Sequence, residues 1–183
     1  PAIIKMFELG AHCDRVANLA QLNIVPVAVS YEWEPCDNLK TIEVFKTRKE
    51  GNYEKQHGED LNSVVTGIKQ PKGKAHVHIC EPLGMADLAA INDCTSGEFY
   101  RKVAKLMDQR IYANYVLSPN NYIAHDMRSR TTTFADHYTS EQKAQFELHM
   151  AWIDDCEPAD QEGLRSIFLD IYAHPIDNIN HSK

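Results

Sequence analysis

The chain has 183 residues, 43% hydrophobic and 25% charged, with a formal net charge of −7. That is the composition of a soluble globular domain large enough to bury most of its apolar surface, and a net acidic chain argues against nucleic acid as its partner. No apolar run reaches the length of a membrane-spanning helix, and the five dispersed cysteines (Cys13, Cys36, Cys80, Cys94, Cys156) lack Cys-x-x-Cys spacing, which points to reduced thiols.

Ile3, Ile4, Phe7 and Leu9 suit a short amphipathic helix ending at Gly10, and Val16, Leu19 and Ala20 a second one. Ile24, Val25, Val27, Ala28 and Val29 then form an apolar, β-branched run that predicts a strand covered on both faces. Pro26 inside it has no donor for a ladder, so its position calls for a strand end, an edge or a bulge. Tyr31, Trp33 and Pro35 leave the strand in an aromatic turn of the kind that borders ligand pockets in α/β sheets. Asp37 is placed to cap a helix over 38–49, with Leu39, Ile42 and Phe45 as its apolar stripe, Lys46, Arg48 and Lys49 in its last turns, and Gly51-Asn52 as its stop. Cys36 beside that helix start has the setting of a low-pKa thiol, although a packed thiol is the ordinary reading.

A helix is predicted from Glu59 through Leu61, Val64, Val65 and Ile68, closed by Pro71-Lys72-Gly73. The next strand alternates, with Ala75, Val77 and Ile79 on one face and His76, His78 and Cys80 on the other. The intervening helix would then be a right-handed crossover between parallel strands. Beyond residue 85 the pattern is helical. Thr95–Glu98 and Thr139–Gln142 are capping boxes, Ser118-Pro119 opens a segment around Ile123, and Asp160 caps a last helix ended by Pro175. The expected fold class is therefore α/β: part of a mixed sheet with covering helices (strands near 23–31 and 74–81), followed by an all-helical C-terminal region. Residues 1–84 form the sheet-bearing part and 85–183 a helical extension packed on it.

Three constellations bear chemistry. His149 and Asp154 have His-x-x-x-x-Asp spacing, but five helical positions rotate by about 500°, leaving the side chains about 140° apart on the helix, where they do not share a face. His76 and His78 point the same way and have chelating spacing, with Cys80 beyond them, yet no further ligand is identifiable, and an exposed histidine face is the plainer reading. Lys69, Lys72 and Lys74 make a local basic patch suited to an anionic head group or a coenzyme phosphate, with a solvated loop as the plainer reading. No phosphate-cradling glycine loop and no Gly-x-Ser-x-Gly elbow occurs.

The string Leu22–Lys40, with Asn23-Ile24-Val25-Pro26-Val27 running into Tyr31-Glu32-Trp33-Glu34-Pro35-Cys36-Asp37 and Leu39-Lys40, resembles the glycerolipid acyltransferases, most closely a bacterial glycerol acyltransferase subgroup. Shorter pieces resemble the same subgroup: Gly58–Leu61, Gly67-Ile68, Lys72-Gly73, Asn121–Ala124 and Tyr172-Ala173. The resemblance implies transfer of a fatty acyl group from acyl-CoA or acyl carrier protein to a glycerol-phosphate hydroxyl of a lipid acceptor, without a cofactor. A His general base oriented by an Asp would take the hydroxyl proton. It implies that Val25, Pro26, Val27, Tyr31 and Trp33 contact substrate, and that the setting is cytoplasmic with peripheral contact to the inner membrane face. The family's His-x-x-x-x-Asp and phosphate-gripping blocks match no position here, and Pro1–Met6 resembles the segment that follows the second block. The chain therefore reads as the C-terminal half of such an enzyme, inactive without its N-terminal half. The alternatives are a non-catalytic lipid- or partner-binding domain of the same fold and a metal-dependent hydrolase centred on His76 and His78.

Overall fold

The computed structural model describes residues 2–7, 14–51 and 53–181. The expected roles of Leu9 and Gly10, Cys13, and Asn52 fall outside these residues. In chain order the elements are α1 (Ala2–Met6), α2 (Arg15–Gln21), β1 (Val27–Tyr31), α3 (Asp37–Glu50), α4 (Glu59–Lys69), β2 (Ala75–Ile79), α5 (Met85–Ala90), α6 (Ser96–Ala113), α7 (Pro119–Ser129), α8 (Ser140–Met150) and α9 (Pro158–His181). Short 3-10 turns at Ala135–His137 and Ala151–Asp155 flank α8. Helices dominate, and the strands form a two-stranded antiparallel sheet. The chain divides into two compact units, one of Pro1–Ser30 with His76–Val116, the other of Tyr31–Ala75 with Leu117–His181. The change of sequence pattern near residue 85 thus falls inside the first unit.

In the first unit Val16, Leu19, Leu83, Leu88, Phe99, Tyr100 and Val103 make the core. Asp14 caps α2 by accepting from the Val16 and Ala17 amides, and Arg15 lies over the Phe99 ring at 4.4 Å while donating to the Asn92 and Cys94 carbonyls. Glu98 reaches back to the Thr95 amide, so the expected capping box closes α6. Arg110 donates to the Glu81 and Pro82 carbonyls and to Asp87, fixing the chain after β2.

The strands correct two expectations. They are neighbours and antiparallel, so α4 is not a crossover between parallel strands. The Cys80 amide donates to the Pro26 carbonyl and the Glu32 amide to the Lys74 carbonyl, a register that sets Val27 opposite Ile79 and Val29 opposite Val77. Nor is β1 covered on both faces: Val25, Val27 and Val29 are exposed, as are Val77 and Ile79, while Ala28 and Ser30 are buried. The alternation in β2 is real in the sequence, but exposure does not follow it: Val77 and Ile79 are exposed, and so is His78 on the other face. Both strands are shorter than expected because β1 begins only after Pro26, which sits at the strand end and offers just its carbonyl.

The second unit is helical around a core of Ile123, Ala124, Phe146, Met150, Ile153, Leu164, Phe168, Leu169, Tyr172 and Ala173. Thr139 and Gln142 cap α8 reciprocally, as their spacing predicts. Helix α9 departs from expectation at both ends. It starts at Pro158, so Asp160 lies inside the first turn, where it pairs with Lys49 at 2.8 Å. It also runs on through Pro175. The missing proline donor is outweighed because Ile176 is buried and Asp177 receives Arg128, so the turns beyond the proline are held by tertiary contacts. Against α3, Gly163 makes room for Phe45, whose ring would lie 2.7 Å from a Cβ there.

Two outcomes test this account in urea unfolding. Phe168→Ala, which empties a fully buried site, should cost about 3–5 kcal/mol. Pro26→Val should stay within about 1 kcal/mol of the parent, because the position ends a strand, its carbonyl keeps the bond from the Cys80 amide, and the change opens no cavity.

Candidate functional site

A pocket of about 440 Å³ lies in the second unit, lined by Trp33 to Leu39, by Thr66, Gln70 and Pro71, and by His149. Its volume is in the range of small-molecule sites. The loop before α3 supplies most of the wall. That loop is held by backbone pairing, with the Trp33 amide donating to the Lys72 carbonyl at 3.0 Å and the Lys74 amide to the Glu32 carboxylate at 2.9 Å. Asn120 donates to the Glu32 carbonyl at 2.6 Å. Gly73, with φ +61°, is required by this approach, because a Cβ there would run into the Glu32 side chain and lie 3.0 Å from the Trp33 ring.

Asp37 is the centre of the site. It is the first residue of α3, not its cap; Cys36 takes the capping position without a side-chain bond. Only 4% of Asp37 is exposed. Its Oδ1 accepts from the Asn38 amide at 2.7 Å, and its Oδ2 accepts from the Tyr172 hydroxyl at 2.6 Å and lies 2.7 Å from His149 Nε2. A carboxylate in this setting only accepts, so His149 carries its proton on Nε2 and keeps the Nδ1 lone pair free in the neutral ring. The Tyr172 oxygen in turn accepts from the Glu34 amide at 3.1 Å. Burial, then the Asp37 charge and the hydrogen bond to it, push the Tyr172 phenol above the ordinary tyrosine range. The His149 side chain is 39% exposed and lies against Trp33 at 4.6 Å between centroids. Such a histidine, oriented by a buried carboxylate at a pocket wall, is equipped to accept a proton or a hydrogen bond from a bound ligand.

Asp154, the sequence partner of His149, is elsewhere; it pairs with Arg165. The rejection of His149 and Asp154 as a working pair therefore agrees with the geometry, while the true partner of His149, 112 positions away, was not apparent. In the sequence Asp37, like Glu59 and Asp60, is a possible acid or base that stands where a helix cap belongs, and no spacing joins it to His149 or Tyr172. Of the residues expected to contact substrate, Trp33 lines the pocket, whereas Val25, Pro26, Val27 and Tyr31 are not among its lining residues. Cys36 Sγ donates to the Ser63 carbonyl at 3.4 Å, the arrangement of a packed thiol. The His76 and His78 rings stack at 6.4 Å, and among the described residues no group of three or more His, Cys, Asp or Glu side chains could hold a metal ion. Compared with known proteins, the chain matches no family model, no curated protein and no solved structure.

Tyr172→Phe tests the network. At neutral pH it removes one donor from a buried carboxylate and should cost about 1–3 kcal/mol. A phenol whose folded pKa is raised contributes stability that is present below its ordinary value near 10 and is lost as pH rises above it. Stability of the parent should therefore fall more steeply above that pH than stability of the variant, by up to about 1.4 kcal/mol per pH unit in chemical unfolding.

Proposed function

We propose that this chain is part of a glycerolipid acyltransferase, and that the pocket around Trp33 binds substrate during transfer of a fatty acyl group from acyl-CoA or acyl carrier protein to a glycerol-phosphate hydroxyl. One observation carries the reading. Several of the pieces that resemble the bacterial glycerol acyltransferases, though scattered along the chain, meet in the second unit, while Leu22–Ser30 belongs to the first. Trp33 to Asp37 form the pocket wall, and the Lys72-Gly73 turn abuts Trp33. Asn121 donates to the Tyr172 carbonyl, and Ile123, Ala124, Tyr172 and Ala173 share the core beneath. A ligand site accounts for such a distribution more economically than separate structural roles.

On this reading Trp33 supplies an apolar platform and His149 an oriented hydrogen-bonding group, while the proton acceptor of the reaction is the family's His-x-x-x-x-Asp block, which matches no position in this chain. The Asp37–His149 geometry favours a second reading, in which His149 is itself the base. Nδ1 would take the acceptor hydroxyl proton, the alkoxide would attack the thioester carbonyl, the thiolate would leave, and Asp37 would hold the resulting imidazolium. No helix of the described residues is long and apolar enough to cross a membrane, so lipid substrates would be met at a surface.

Tryptophan fluorescence with palmitoyl-CoA and lysophosphatidate tests both readings, because Trp33 and Trp152 are the chain's two tryptophans. Trp152→Phe should retain saturable quenching and Trp33→Phe should lose it. Labelled product should stay at background; turnover abolished by His149→Gln would instead establish the second reading. If none of these ligands gives saturable binding, the pocket has been assigned the wrong substrate class.

A further inference from the structure

Helix α4 is packed inside out. Leu61, Val64, Val65 and Ile68 stand at i, i+3, i+4 and i+7, within about 100° of one another on the helix. In a surface helix such a stripe faces the core. Here Leu61 is 68% exposed, Val64 58% and Ile68 74%, and α4 buries no residue. The opposite side, bearing the small residues Ser63, Thr66 and Gly67, is the half-buried one. Cys36 Sγ donates to the Ser63 carbonyl, a Cβ on Gly67 would lie 3.5 Å from the same sulfur, and Thr66 lines the pocket. Small residues therefore seat the helix on the protein, and the large apolar ones are left facing outward. An exposed stripe of four large apolar residues, on a helix that also lines a pocket through Thr66, is suited to cover by a partner surface.

The charges around it select the partner. At the N-terminal end the acidic groups are answered within the protein. Asp60 pairs with Lys55 at 2.8 Å, and Glu59 accepts from the Tyr53 hydroxyl and the Gln56 amide. The Glu59 carboxyl is held below its ordinary range first by the Tyr53 hydrogen bond and then by that amide. At the C-terminal end Lys69, Lys72 and Lys74 follow Ile68, with Lys69 and Lys74 exposed, and Lys72 turned back onto the Ile68 and Gln70 carbonyls. A chain of net charge −7 thus gathers cations beside an exposed apolar helix face. We propose that α4 docks this protein on an anionic phospholipid bilayer, with Leu61, Val64, Val65 and Ile68 entering the head-group boundary and Lys69 and Lys74 meeting lipid phosphates. That pairing of an apolar stripe with flanking cations is how interfacial helices hold a membrane surface. Thr66, Gln70 and Pro71 would then place the pocket wall next to the lipid. The proposal does not depend on acyl transfer, and its test involves no turnover.

Vesicle flotation at low salt decides it, using phosphatidylcholine vesicles with and without phosphatidylglycerol. The chain should float with the anionic vesicles and bind neutral ones weakly. Leu61→Asn with Ile68→Asn, at positions exposed enough to leave folding intact by circular dichroism, should weaken binding more than tenfold. Lys69→Gln with Lys74→Gln should weaken binding to anionic vesicles about thirtyfold and leave neutral vesicles unaffected. Failure of the parent to float with anionic vesicles would overturn the proposal, as would a Leu61/Ile68 variant that binds like the parent. A dimer in sedimentation velocity that this variant dissolves, without vesicle binding, would assign the stripe to a second copy of the chain instead.

Discussion

The carboxylate of Asp37 is the constraint on which the site depends. It is buried, and a buried charge persists only when its lone pairs are filled. Its own helix supplies the Asn38 amide, α9 supplies the Tyr172 hydroxyl and α8 supplies His149. The three donors come from three elements, so satisfying this one group fixes how α3, α8 and α9 meet in the second unit. The same bonds set the tautomer of His149 and turn its ring against Trp33. Tyr172 belongs to both layers of the arrangement. Its ring packs edge-on to Phe146 in the core, and its hydroxyl sits between the Glu34 amide and Asp37.

A pocket wall made from a loop needs anchoring, and here the anchors are largely backbone groups. Glu32 and Trp33 pair with Lys74 and Lys72, and Asn120 reaches the Glu32 carbonyl from α7. Gly73 permits the close approach. Helix α4 adds the far wall through Thr66, with Ser63 and Gly67 seated over the Cys36 sulfur. The residues small enough to make that contact occupy the side of α4 where an ordinary amphipathic helix would be polar and wet. Wall and outward apolar stripe are therefore two consequences of one choice of packed face.

Local signals in the sequence were legible where local physics decides. The Thr139–Gln142 box caps α8, Gly51 closes α3 in the left-handed region, and Pro26 ends its strand. The stripe on α4 was also legible, but periodicity states only which residues share a face, not which face the protein covers. The same limit applies to β2, whose sequence alternates although Val77, His78 and Ile79 are all exposed. Strand direction is not legible in the sequence, because a helix between two strands suggests a crossover, whereas the register is set by the pairs Pro26–Cys80 and Glu32–Lys74. At Pro175 a local rule was overridden by the burial of Ile176 and the Arg128–Asp177 pair. Trp33 lines the pocket, and its place in an aromatic turn is a local signal for such a position. The Asp37, His149 and Tyr172 group has no such signal, since its members are brought together by tertiary packing across more than a hundred positions and each has an ordinary local role.

The central claim is that Asp37 holds His149 in one orientation, with the proton on Nε2 and a free lone pair on Nδ1. Nitrogen-15 NMR of the imidazoles, with His149→Gln identifying the signal, reads this directly. The account predicts that the neutral His149 ring is almost wholly the Nε2–H tautomer, and that Asp37→Ala relaxes it to a mixture. A neutral ring protonated on Nδ1, or a tautomer ratio that Asp37→Ala leaves unchanged, would contradict it.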